Sequence, residues 1–168
     1  DLHRLILNSD TYKQISDHNI ENAKIDNSNQ FLWRQNRRRL DAESLRDTVL
    51  FVSGKMNLKM GGPSFKDFVI EKPQHSPHYQ YHKYDPDDVS THRRSIYRFI
   101  VRSQPQPFMD TFDCADPSQL VDKRGETTTA LQALALLNNQ FMVKMSKNFS
   151  ENVSKKSVAD AVRSAFEM

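Results

Sequence analysis

One cysteine in 168 residues removes two forms of cross-linking from this chain. Cys114 has no partner for an intramolecular disulfide and no companions for a thiolate-rich zinc site, and alone it does not fix a redox compartment. No apolar run approaches the roughly 18 residues of a membrane span, and no signal-peptide pattern is present. Haem attachment through Cys-x-x-Cys-His, a phosphate loop, a nucleophile elbow and His-Glu-x-x-His are all missing, so the common catalytic signatures are excluded. Hydrophobic residues make up only 37% and mean hydropathy is -0.74. Such a composition predicts a compact core wrapped in long polar connections.

The length suits one domain, 1–168, with a core that needs no metal or disulfide. Asp1 is not an initiator and the chain stops inside a helical pattern at Phe166-Glu167-Met168, so the reading is a segment of a longer multidomain protein, with room for a targeting signal upstream. A net charge of +3 with a pI near 9.0 is no nucleic-acid signature. Local charge is more telling. Arg93, Arg94, Arg98 and Arg102 form a basic block, and Asp110, Asp113, Asp116 and Asp122 form an acidic one, which predicts that the two blocks face each other.

Leu2, Leu5 and Ile6, with Tyr12, suit a short amphipathic helix capped by Asp1, and residues 16–30 read as a solvated connection before an aromatic anchor at Phe31-Leu32-Trp33. From Asp41, an N-cap, the positions Ala42, Leu45, Val49, Val52 and Met56 recur in steps of three and four, predicting a helix over 41–56. Gly61-Gly62-Pro63 rules out continuation beyond Met60. Residues 66–72 and 78–84, separated by Pro73 and Pro77, read as extended, and Ser95–Arg102 as a strand whose pattern also fits a helical turn. The stretch 105–126 is predicted to cross the surface in turns. A last long helix over 128–150 starts at Thr128 or Thr129 and turns Leu131, Leu134, Leu137, Phe141, Met145 and Phe149 inward, and Val158, Val162, Ala165 and Phe166 repeat the spacing in a terminal helix. The fold class is α+β: a predominantly helical single domain with a small antiparallel sheet.

Several clusters carry potential chemistry. Arg37-Arg38-Arg39 precedes a helix face bearing Glu43, Arg46 and Asp47, and four-residue spacing brings such charges together. A guanidinium cluster of this kind clamps a phosphate, sulfate or carboxylate, or else closes internal salt bridges, which is the commoner use. Arg94, Arg98 and Arg102, also four apart, point to an internal Arg-Asp network over an exposed anion groove. His75, His78, His82 and His92 lack metal-ligand spacing and read as surface histidines, leaving no metal site. Cys114 has no base nearby in sequence and reads as a small buried residue. Thr127, Thr128 and Thr129 read as capping residues, and Asn138 as a polar-network residue interrupting an apolar face. Asn148-Phe149-Ser150 and Asn152-Val153-Ser154 match the glycosylation acceptor pattern, which has meaning only in a eukaryotic secreted protein.

Leu2-His3-Arg4-Leu5-Ile6, Arg37 to Asp47, Val52-Ser53-Gly54-Lys55, Gly61-Gly62-Pro63-Ser64, Arg93 to Tyr97, Phe112-Asp113, Asp116-Pro117 and Thr127 to Leu134 through Leu137-Asn138-Asn139 follow one another in an order that resembles the planctomycete-specific domain of unknown function. The likeness covers nearly the whole chain, apart from the histidine-bearing stretch 73–92. It implies an extracytoplasmic segment, periplasmic or at the cell surface, of a large exported bacterial protein that carries a cytochrome c domain upstream. Haem would then be bound in that upstream domain, with no cofactor in this segment. Partners implied are the upstream domains of the same polypeptide and an anionic glycan, with no nucleic acid and no membrane span. The family supplies no established catalytic residues. The polar positions within the shared blocks, Arg39, Glu43, Arg46, Asp47, Arg94, Asp113, Arg124, Thr128 and Gln132, form the candidate cluster. Two functions follow: a non-haem accessory or binding domain, or an extracytoplasmic enzyme acting on carbohydrate with Glu43, Asp47 or Asp113 in acid-base roles. Burial of those carboxylates in closed arginine pairs favours the first.

Overall fold

Asp41 Oδ1 accepts a hydrogen bond from the Ser44 amide at 2.7 Å and opens helix α3, Ala42–Val52, around which the core is arranged in this computed structural model. The structure describes residues 1–72 and 75–167; Pro73, one of the two proposed strand breakers, and Met168 lie outside the described residues. Seven α-helices and a two-stranded antiparallel sheet are found among them, an α+β arrangement that is mainly helical. Chain contacts divide the protein into two units, Asp1–Arg39 and Leu40–Met168.

The first unit contains α1 (Leu2–Asn8) and α2 (Ile20–Ile25), neither of which buries a residue. The side chain of Asp1 makes no capping bond. Helix α2 falls in the stretch expected to be a solvated connection. Its local support is the Asn19 side chain, which accepts from the Asn22 amide, and a Lys24–Glu21 ion pair one turn apart. Of the expected aromatic anchor only Trp33 holds: its Nε1 donates to the Asp26 carbonyl at 2.8 Å, whereas Phe31 and Leu32 are exposed.

In the second unit, α3 buries Ala42, Arg46 and Leu50, four residues apart on one face, with Leu45, Val49 and Met56 packed at the margin of the core. The aliphatic stripe expected from the sequence therefore flanks a buried row with an arginine at its centre. The helix ends at Val52, short of Met56, because Gly54 adopts φ +71 and the Lys55 and Met56 amides both return to the Leu50 carbonyl. The sheet is small. Strand β1 (Val69–Glu71) pairs with β2 (His78–Gln80), with Ile70 opposite Tyr79. Ser95–Arg102 is not a third strand: Ser95–Tyr97 is a single 3₁₀ turn, and Arg98 forms only an isolated bridge to Phe65. The amide and carbonyl of Phe65 bond Tyr97 and Phe99, which satisfies this backbone without a ladder.

The stretch 105–126 does not wholly cross the surface in turns: its first part enters the core, whereas 118–126 are exposed as expected. Gln106 caps α4 (Pro107–Thr111) by accepting from the Met109 amide, and Pro107 supplies the preset φ of a helix start. Phe108, Met109 and Phe112 are buried, with Phe108 against Phe112 and Phe141 at ring separations of 4.9 and 5.9 Å.

The last long helix is two helices. Thr129 and Gln132 form a reciprocal capping box that opens α5 (Ala130–Asn138), and Asn139 ends it while its side chain caps α6 (Gln140–Val153). The break rotates the apolar row. Phe141 and Met145 are buried against α3 and α4, whereas Leu131, Leu134 and Leu137 are exposed, contrary to the inward row expected, and Asn138 is exposed as well. Helix α7 (Val158–Glu167) likewise leaves Val158, Val162 and Phe166 exposed. No helix among the described residues is long and apolar enough to cross a membrane.

Candidate functional site

Arg46 is 4% exposed and is held without a close carboxylate. Its Nη1 donates to the Arg93 carbonyl at 2.9 Å and reaches Ser95 Oγ at 3.4 Å, and its Nη2 donates to the Thr91 carbonyl at 2.6 Å. Its guanidinium also lies 4.9 Å from the Phe65 ring centre and 5.6 Å from that of Phe141. Asp47 Oδ1 is 3.8 Å away, too long for a tight pair. Burial pulls the Arg46 pKa below its ordinary value, against the raising influence of Tyr84, Asp67 and Asp47.

Glu43 and Arg124 form a two-pronged pair, Nη1 to Oε2 at 2.6 Å and Nη2 to Oε1 at 3.0 Å. Burial works against ionising Glu43, but the hydrogen bonds and charge of Arg124, with the Glu43 backbone amide and Cys114, together outweigh it and hold the carboxyl below its usual range. Cys114 Sγ lies 3.5 Å from Glu43 Oε1, and burial together with the glutamate charge pushes the thiol up, the opposite of what an attacking thiolate needs. Asp113, at φ 59, accepts from the Thr127 amide and hydroxyl, and Gln132 Nε2 donates to the Thr111 carbonyl at 3.0 Å and to Thr127 Oγ1 at 2.9 Å.

Thus Glu43, Arg46, Asp47, Arg94, Asp113, Arg124 and Gln132 enter three linked polar knots. Thr128 is exposed and the capping role falls to Thr129, while Arg39 is half-buried at the end of the first unit. The expected meeting of basic and acidic blocks takes a different form. Arg94 reaches Asp47 at 3.6 Å, Arg98 acts on Asp67, and Arg102 Nε donates to the Pro117 carbonyl. His75, His78 and His82 are exposed, but His92 is buried, with Nε2 2.8 Å from the Pro86 carbonyl, and so is no surface histidine. Among the described residues no three His, Cys, Asp or Glu side chains are grouped to hold a metal ion.

The largest surprise is Asp67. It is 2% exposed, its Oδ1 has no hydrogen-bond partner in the protein, and it borders a cavity of about 370 Å³ with Arg46, Tyr81, Tyr84, Gln106, Phe108 and Asn139. Burial raises its pKa, opposed by Arg98 and Arg46. Sequence reasoning passed over it as part of an extended segment. The available signal was an acid flanked by Phe65 and Phe68, both of which are buried.

No curated protein and no solved structure matches the chain. The family described as "Protein of unknown function (DUF1553)" matches residues 1–168, the whole sequence, and the chain belongs to that family.

Proposed function

We propose that the chain is a non-haem accessory or binding domain of an exported, extracytoplasmic protein, working beside an upstream cytochrome c domain of the same polypeptide. The observation that carries this is the use made of the motif carboxylates. Glu43 is closed by Arg124, Asp47 Oδ1 accepts both the amide and the hydroxyl of Ser95, and Asp113 is tied to Thr127 and Gln132. A glycosidase needs two carboxyl groups free to face a scissile bond, and these three brace the second unit. A single cysteine cannot supply the paired thiols of covalent haem attachment, which is compatible with a haem held outside this segment. The apolar row of α5, Leu131, Leu134 and Leu137, offers area to an upstream domain, and exposed Arg37 and Arg38 offer charge to an anionic glycan.

Glu43→Gln and Asp47→Asn in the intact protein test the reading. Each lowers the melting temperature while leaving glycan binding and any turnover of polysaccharide at the parent level. Unchanged melting with abolished turnover supports the enzyme reading instead.

A further inference from the structure

Among the buried acids, Asp67 stands out because the fold leaves one of its oxygens without a protein donor. A buried polar atom without a partner costs about 1–3 kcal/mol, and native proteins keep few of them. The Asp67 side chain borders a cavity large enough for a small molecule.

The surrounding groups define what fits. Gln106 Oε1 is committed to the Met109 amide and its NH₂ is directed at Asp67, whereas Asn139 Oδ1 is committed to the Phe141 amide and leaves its NH₂ group for a ligand. Tyr81 Oη donates to the Gln104 carbonyl at 3.1 Å and keeps its lone pairs as acceptors, and burial with the Asp67 charge pushes its pKa up to about 12, so it remains a neutral phenol. Phe108 and Phe141 supply apolar faces on the same cavity. An anion entering here meets Asp67, and a cation meets buried Arg46. A neutral molecule carrying several hydroxyls on a compact ring avoids both penalties, donating to Asp67 and Tyr81 and accepting from the Asn139 amide while its C–H face lies on the rings.

We propose that the cavity bordered by Arg46, Asp67, Tyr81, Tyr84, Gln106 and Asn139 binds a neutral sugar ring. The site is separate from the Glu43–Arg124 pair, so the proposal goes beyond the accessory reading and does not stand or fall with it.

The test is ligand-observed NMR on the intact protein with glucose, galactose and xylose, and with glucuronate and glucosamine as charged counterparts, each at up to about 50 mM, which reaches millimolar affinities. At least one neutral sugar binds, and its charged counterparts bind at least tenfold more weakly. Asp67→Asn weakens that sugar at least tenfold without loss of folding. Asn139→Asp, which keeps the oxygen that caps α6 but removes the NH₂ group, weakens it similarly with unchanged melting. Absence of binding by all three neutral sugars, preference for a charged one, or parent-like affinity in both variants overturns the proposal.

Discussion

Asp47 takes both the backbone amide and the hydroxyl of Ser95 through a single oxygen, Oδ1, at 2.7 Å each. One carboxylate on α3 thereby fixes the first residue of the 3₁₀ turn 95–97, and the Arg46 beside it fixes the carbonyls of Thr91 and Arg93 just before that turn. Helix α3 grips the segment 91–95 with two adjacent side chains of opposite charge. Ser95→Ala removes one of the two donors and lowers stability by about 1–2 kcal/mol, measured by urea denaturation.

Arg46→Met keeps the length and apolar stem of the side chain but leaves the Thr91 and Arg93 carbonyls without their donor. A loss of about 1–3 kcal/mol for each carbonyl left unsatisfied is expected. Arg46→Lys recovers little, since a single ammonium cannot span both carbonyls. Denaturant midpoints of the three proteins check the order.

Gly54→Ala places a side chain where φ is +71 and where its Cβ meets Asn152 Nδ2 at 3.0 Å. That amide donates to the Ser53 carbonyl at 2.9 Å and ties the end of α6 to the end of α3. Strain at a left-handed position costs about 1–2 kcal/mol, so the melting temperature falls; one equal to the parent's would show that neither the left-handed backbone nor Asn152 is fixed here.

Two carboxyl groups give opposite pH dependence. The folded-state pKa of Glu43 lies below its ordinary 4.5, so the stability it contributes is complete above that value and drains away as pH falls through the lower, folded one. Arg124 is 44% exposed, so this is worth no more than about 1 kcal/mol and shrinks in salt. Asp67 is raised above 3.8 by burial, with Arg98, Arg46, Tyr81 and Tyr84 as its charged or titratable neighbours, so its contribution is complete below 3.8 and is lost as pH rises through the folded value. Asp67→Asn is therefore more stable than the parent at neutral pH, and the advantage narrows near pH 4. Urea titrations at both pH values decide this.

Local signals in the sequence located two helix starts. Asp41 with Ser44 and Thr129 with Gln132 act within four residues, and the structure forms both caps. Tertiary choices were less legible. The apolar spacing from Leu131 to Phe149 runs through Asn139 without a Pro or Gly, and only the double use of that asparagine breaks it. The β-branched and aromatic content of Ser95–Arg102 suggested a strand, but the bonds from Asp47 and Arg46 fold its start and approach into turns. Asp67 escaped notice as an interior residue because hydrophobic periodicity counts apolar positions and gives an isolated buried charge no weight.

Asn139 interrupts the ladder of amide-to-carbonyl bonds between two helices that a continuous apolar pattern had joined. Of the two, α5 buries only Gln132, whereas α6 buries Phe141 and Met145. The shorter helix is thus free to unwind by itself. In deuterium exchange the amides of 133–138 should label through local opening, well ahead of those around Met145, which must wait for the whole unit to come apart.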